Sequence, residues 1–388
     1  MRQTKAQQEE QELAVSIVEY FTAVPDPRRE HTRQHTLTDI LVLALCAVVC
    51  GADSFVAIEQ FGRAKETWLK TFLDLRNGIP SHDTLGRVFS VLNPDALSAA
   101  FQQWVAAVAN LTQGEVVAID GKSLRRSFQT AGSGTFVHMV SAWATSNRIV
   151  LGQVKTEEKS NEITAIPRLL KLLSIKGCLV TIDAMGCQKE IATGIIDAGA
   201  DYLLAVKDNQ PSLSDAVTTI FEHALRDPKA YDVSTHETSN RGHGRTEVRR
   251  CWTMSQVESI PNHKQWTNLE SIAMIECERT ANGKTSTERR DYISSKKNFS
   301  AVKALRAARS HWGIENELHW VLDVAFREDD CRIRAGYAAQ NVSVMRHLTL
   351  NLLKAIPGCK IGIKNRRLRA GWEDAFLLQA LGVSMGAK

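Results

Sequence analysis

The chain of 388 residues carries a formal net charge of +5, with 44% hydrophobic and 23% charged residues. This balance is globular and excludes wholesale disorder or collagen-like repeats, and the length allows one large domain or two to three ordinary ones. A pI near 8.7 is mildly basic, too weak by itself to identify a nucleic-acid partner. The eight cysteines form no C-x-x-C pair and no zinc-finger spacing with histidine. The N-terminus is polar, unlike a signal peptide, and the apolar run at 40–50 is well short of the roughly 20 residues of a membrane span. The expectation is a soluble cytoplasmic protein with no membrane contact.

Residues 1–110 read as helical. Leu13, Ile17 and Phe21 share a helical face that stops at Pro25-Asp26-Pro27. Thr38 is placed as the cap of an apolar helix over 39–50, Ser54 opens the next, and Ser81 caps one carrying Leu85, Val88 and Phe89. A last helix covers 94–108. From 111 the period changes. Val116-Val117-Ala118-Ile119 is a buried strand running into an Asp-Gly turn. Strands follow at 136–143 and 148–154, a helix at 161–173, a strand at 178–182, a helix at 188–197 and a strand at 202–206. This mixture describes the first part of an α/β core, 111–224. Residues 225–298 read as a β-rich insertion with strands at 247–254, 271–279 and 288–293 and an Asn282-Gly283 hairpin. Helices at 301–325 and 338–354 complete the core (299–355), and 356–388 reads as a basic tail.

Three carboxylates stand out by placement. Asp120 and Asp183 each follow a strand that holds little else polar, and Glu315 lies within a helix. Acids at the ends of neighbouring central strands point into the crevice at the carboxyl edge of the sheet. A third acid on a helix packed there completes an oxygen cage suited to hard cations, and two such ions roughly 4 Å apart support phosphoryl transfer. Trp312, Glu315, Leu318, His319 and Leu322 fall on one helical face, which would aim Glu315 toward the sheet; Glu317 is turned away. Each Asp also has a structural reading, as a turn residue or a helix cap. Gly132-Ser133-Gly134 lacks the P-loop pattern, which argues against ATP.

The pieces Ala118-Ile119-Asp120-Gly121-Lys122, Thr181-Ile182-Asp183-Ala184-Met185-Gly186-Cys187-Gln188, Leu204-Ala205-Val206-Lys207-Asp208-Asn209-Gln210 and His311-Trp312-Gly313-Ile314-Glu315-Asn316 resemble bacterial insertion-sequence DDE transposases. Within them the match is to the H-repeat-associated, Rhs-linked branch. Val24-Pro25-Asp26-Pro27-Arg28-Arg29 and Ala370-Gly371-Trp372 extend the resemblance over nearly the whole chain. It implies a ribonuclease-H-like mixed-sheet core with a β-rich insertion, preceded by an all-helical N-terminal domain. It also implies Asp120, Asp183 and Glu315 as catalytic acids and metal ligands for Mg²⁺ or Mn²⁺, with two ions bound. The implied reaction is phosphodiester hydrolysis at the ends of a mobile element, followed by attack of the freed 3′-hydroxyl on target DNA. Ala308, His311 and Leu322 stand where the broader β-insertion transposases carry Tyr, Arg and Lys, so phosphate contacts fall to His311, Arg309 or Lys207.

Local charge points the same way. Basic clusters at 241–250, 286–309 and 354–369 suit phosphate contacts. The expected DNA-binding residues are Lys122, Lys207, Arg241, His243, Arg245, Arg249, Arg309, His311, Lys364, Arg366, Arg367 and Arg369. The Ser81–Phe89 segment is a candidate recognition helix. Exposed tryptophans are candidates to stack on bases, with Trp143 assigned to the core. The expected partner is double-stranded DNA, both terminal repeats and target, bound by a homodimer on paired ends in the nucleoid. A metal-dependent nuclease without strand transfer and an inactive DNA-binding relic remain open as alternatives.

Overall fold

The structure is a computed structural model that describes residues 17–127, 136–157, 161–227, 230–242 and 244–382. His243 and Gly132-Ser133-Gly134 lie outside the described residues. Five helices come first: α1 (Ile17–Thr22), α2 (Leu37–Val49), α3 (Phe55–Leu69), α4 (His82–Val91) and α5 (Pro94–Val108). Their starts follow capping chemistry. The Ser54 and Ser81 side chains accept from backbone N–H groups three residues on, and Asn93 caps a helix that begins with proline. The cap of α2 is Thr36, which accepts from the Asp39 amide, two residues before the expected cap Thr38.

The core alternates β1 (Val116–Leu124), β2 (Val137–Ala144), β3 (Ile149–Lys155), α6 (Glu162–Leu170), β4 (Leu179–Ile182), α7 (Lys189–Asp197), β5 (Asp201–Val206) and α8 (Pro211–Arg226). Four antiparallel strands follow: β6 (Ser234–Gly242), β7 (Arg245–Met254), β8 (Ser271–Ala281) and β9 (Lys284–Ser294). Asn282 and Gly283 both have positive φ, 51° and 73°, as a two-residue hairpin between twisted strands requires. Strand β6 is polar along most of its length and carries no apolar pattern, which is why the sequence did not mark it.

All nine strands belong to one sheet, ordered β3-β2-β1-β4-β5-β9-β8-β7-β6. Within β3-β2-β1-β4-β5, only β2 runs antiparallel to its neighbours, the ribonuclease-H-like arrangement. The β-rich insertion is continuous with it, because β9 pairs with β5 from Leu203↔Ser294 to Val206↔Asp291. It extends the core sheet instead of hanging beside it.

Next come α9 (Ala301–Gly313), a π-helical segment (Ile314–His319) and α10 (Trp320–Phe326), running one into the next. Ala301, Ala304, Leu305, Ala307 and Ala308 let α9 approach the sheet closely beside Leu179, Leu203 and Tyr292. The last three helices are α11 (Ala338–Ala355), α12 (Ile363–Trp372) and α13 (Asp374–Ala380). The expected basic tail is therefore, as far as residue 382, a pair of packed helices. Helix α11 is buried almost all round and touches α2, α4, α5, β3, α12 and α13. Buried Asn341 donates to the Phe89 and Leu92 carbonyls, and Asn351 bonds both polar backbone groups of Val150. The helical region and the sheet thus share one apolar core.

Candidate active site

Parallel pairing of β1 and β4 ends at Ile119↔Ile182. The next residues are Asp120 and Asp183, so the two acids stand side by side at the carboxyl edge of adjacent central strands. The Asp120-Gly121 pair is not the expected turn. Strand β1 continues to Leu124 against β2, with Asp120 opposite Ser141. Only its β4 side falls open, and that opening makes the crevice. Asp183 also caps the short turn Ala184–Gly186, accepting from the Gly186 amide at 3.3 Å. Its structural and candidate catalytic roles coexist.

Burial pushes the Asp120 carboxyl up to about 7, with Glu162, Asp183 and Glu315 adding to the effect and the Gly121 amide opposing it. Asp183 is likewise raised by burial and by Glu162, with Lys207 among the groups acting against it. Asp120 is thus a half-buried carboxylate among carboxylates. His319 Nδ1 lies 3.5 Å from its Oδ2, but burial, and then the charge of Lys122, pull His319 down to about 3. That imidazole is neutral and offers no compensating charge.

Glu315 does not share the face that seats its helix. Ile314, Leu318, Leu322 and Phe326 are buried at a spacing of four, while Trp312, Glu315, Asn316 and Trp320 are exposed. Ile314–His319 is a π-helix, whose wider turns shift the expected i, i+3, i+4 register; such segments recur at functional sites. Glu315 still acts on Asp120 electrostatically. Glu317 pairs instead with Arg148 and Lys354.

Hard oxygen donors such as these suit Mg²⁺ or Mn²⁺ by chemistry. Among the described residues, no three His, Cys, Asp or Glu side chains are gathered closely enough to hold an ion as they stand. A bound cation would have to draw the acids together.

The basic residues divide. Arg245, Arg249 and Arg309 line one cleft of about 580 Å³ with Arg279, Arg290, Trp312 and Asn316. Trp312 and Asn316 flank Glu315 in sequence, so this cleft opens near Glu315. Glu247 pairs with Arg245 and Arg249 within it. Lys207, Arg241 and Lys364 are exposed.

Four expected DNA contacts are corrected. Lys122 is held between Asp323 and Asp329, at 2.6 and 3.1 Å, with its side chain 11% exposed, and ties β1 to α10. Arg367 is 4% exposed and bonds the Val48, Ala52 and Ala325 carbonyls and Asp53. Arg366 closes on the Leu353, Cys359 and Ile361 carbonyls. His311 accepts from or donates to the Thr181 hydroxyl at 3.1 Å, and burial lowers it to about 4, so it carries no charge for phosphate. Arg369 pairs with Glu373 and stacks on Phe376. Trp104, Trp143 and Trp266 are buried, Trp68 and Trp252 are half-buried, and Trp312, Trp320 and Trp372 are exposed.

Glu162, His138 and Arg279 carry no mark in the sequence, and Arg290 is marked only as part of the 286–309 basic cluster. Glu162 follows Asn161, the cap of α6, where an acid reads as ordinary complement to the helix dipole. His138 sits alone in a strand, and only the fold brings it near either.

Residues 111–352 match the family model described as "Transposase DDE domain", and residues 18–105 match "DDE_Tnp_1-associated". The chain belongs to the DDE transposase family. "Putative transposase YncI" of Escherichia coli O157:H7 is 42% identical over 371 residues, covering 94% of each chain. "H repeat-associated putative transposase YhhI" of Escherichia coli (strain K12) is 38% identical over 373 residues, covering 95% of this chain and 98% of the relative. "Inactive transposase YbfQ" of the same strain matches only 19% of this chain, at 43% identity. A solved structure of piggyBac transposase in a synaptic complex with hairpin DNA aligns at a TM-score of 0.42 with 10% identity, covering 95% of this chain and 80% of that one. The transposase has, among its described residues, no helix long and apolar enough to cross a membrane.

Proposed function

We propose that this transposase cuts the phosphodiester bonds at the ends of an insertion sequence and joins the freed 3′-hydroxyl to target DNA, with Asp120, Asp183 and Glu315 as the catalytic acids. The observation that carries the reading is the pairing register. Two acids stand one residue past Ile119↔Ile182 on adjacent parallel strands, and burial and neighbouring carboxylates raise the pKa of Asp120. Mg²⁺ or Mn²⁺, two ions at full occupancy, would supply charge neutralisation and activation of the attacking oxygen. Asp120 and Asp183 would hold them from the sheet, and Glu315 from the π-helical segment. Lys207, exposed at the end of β5 and close enough to act on Asp183, would meet a phosphate at the same edge.

Double-stranded DNA fits the cleft lined by Arg245, Arg249, Arg279, Arg290 and Arg309, since phosphate contacts supply affinity and register. Arg241 and Lys364 would extend that contact. Joining two element ends calls for two active sites, so the working form is a homodimer on paired ends, in the nucleoid. A strand-transfer assay with pre-cleaved terminal-repeat DNA tests the joining step. Joined product is expected with Mg²⁺ or Mn²⁺; cleavage of intact ends without joining would mean a nuclease.

A further inference from the structure

Resting on the reading of a homodimer that joins two element ends, the sheet itself offers the surface on which two copies meet. A nine-stranded open sheet has two edges. Strand β3 is blocked at Val150, whose N–H and carbonyl both bond the Asn351 side chain. Strand β6 is open. Among the described residues, the backbone of 235–242 pairs with β7 alone, and the strand carries no proline and no register shift. Such an edge is a row of free donors and acceptors, a template for another strand.

The hairpin settles which groups are free. Two residues join Gly242 to Arg245, so this closing pair exchanges hydrogen bonds. Residues bonded to β7 then alternate back along β6 through Asn240, Thr238 and His236. Thr235, Glu237, Ser239 and Arg241 turn their N–H and carbonyl groups outward. Their side chains share one face, and all four are exposed. On the other face His236 and Thr238 line a cleft with Val302, Leu305 and Arg306 of α9.

Symmetric antiparallel pairing sets one residue opposite its own copy, and charge selects which. Centring on Glu237 or on Arg241 would oppose like charges. Centring on Ser239 sets Glu237 opposite the partner's Arg241, twice, and no other centre joins these two charges. Arg241 makes no ion pair among the described residues, and Glu237 shares Arg250 with Glu276 and Glu278, so a second cation suits it. The two-fold axis of such a pair lies along the sheet normal and does not turn the sheet over. Both arginine clefts, each on the α9 face, would then open to the same side, as two DNA ends held together require.

We propose that two copies of this chain pair edge to edge through β6, antiparallel and centred on Ser239, with Glu237 and Arg241 forming reciprocal ion pairs.

Disulfide trapping of full-length protein tests this, read as linked dimer on a non-reducing gel after mild oxidation. DNA is left out, so that phosphate contacts of Arg241 play no part. Hydrogen-bonded antiparallel partners have Cα atoms about 5.5 Å apart, within disulfide reach. Ser239→Cys is expected to cross-link. Thr235→Cys, on the same edge but far from the axis, and the wild type with its eight cysteines should not. Adding Glu237→Arg or Arg241→Glu to Ser239→Cys should slow cross-linking about 10-fold, since both ion pairs become like-charge pairs. Adding the two together should restore the rate. Ser239→Cys that stays monomeric would overturn the proposal, as would equal cross-linking of Thr235→Cys or single charge reversals without effect. Strand transfer by a protein that never cross-links would leave the transposase reading intact and put the dimer contact elsewhere. A trapped β6 dimer that neither cuts nor joins DNA in its reduced form would uphold this surface while defeating that reading.

Discussion

Asp120 concentrates the physical tension of the site. A carboxyl raised to about 7 from an ordinary 3.8 binds its proton more tightly folded than unfolded. Its contribution is therefore most favourable below about pH 4 and is lost as pH rises through 7. At pH 8 without divalent cations, Asp120→Asn should raise stability by on the order of 1–3 kcal/mol, seen as a higher melting temperature, while abolishing cleavage. Equal melting at pH 8 would mean the acid is not strained by its neighbours. The positions of Asp120 and Asp183 were legible in the sequence because each directly follows an apolar run. Roles that depend on what a side chain meets were not legible. Lys122 and Arg367 look like phosphate contacts in sequence, yet Asp323, Asp329 and Asp53 hold them inside. Glu162 looks like a helix-start acid until α6 is laid across β1.

At the scale of elements, capping residues and apolar runs placed most helices and core strands within a few residues. Strand β6 and the π-helical turn escaped. A solvent-facing polar strand has no apolar period to read, and a π turn is a local widening that a 3.6-residue template cannot see. That widening changes the site, since it leaves Glu315 and Trp312 open beside the arginine cleft between α9 and strands β7 to β9. Arg279 and Arg290 joined this cleft only through cross-strand pairing. If the cleft carries DNA, the double variant Arg279→Ala with Arg309→Ala should weaken binding to all sequences alike. The slope of log affinity against log salt should fall by about one for each phosphate that the variant no longer neutralises. Fluorescence anisotropy across a salt series checks this; an unchanged slope would put DNA elsewhere.

For the whole molecule, the sequence suggested separable parts: a helical domain, a core, an insertion and a tail. The structure joins them. One sheet runs from β3 through the insertion to β6, and α11 threads a shared core between the sheet and the N-terminal helices. Such continuity is set by long-range packing, which local pattern does not report. Scanning calorimetry should accordingly show one cooperative transition for the helical region and the sheet together, not two. Asn341→Ala, which orphans the buried Phe89 and Leu92 carbonyls, should lower that single transition, at a cost of about 2 kcal/mol. Two resolved transitions would mean that the two regions fold independently.

The central claim is that the edge beside Ile119 and Ile182 performs the chemistry. The direct measurement is Mg²⁺- or Mn²⁺-dependent cleavage of DNA carrying the flanking terminal repeats, by wild type and by Asp183→Asn. Asparagine can still cap the turn at Ala184–Gly186 but carries no charge, so the variant separates the structural role of Asp183 from the chemical one. Cleavage by wild type alone, with both proteins melting together, is the predicted result. Cleavage by Asp183→Asn at the wild-type rate would contradict the account and leave Asp183 a turn residue.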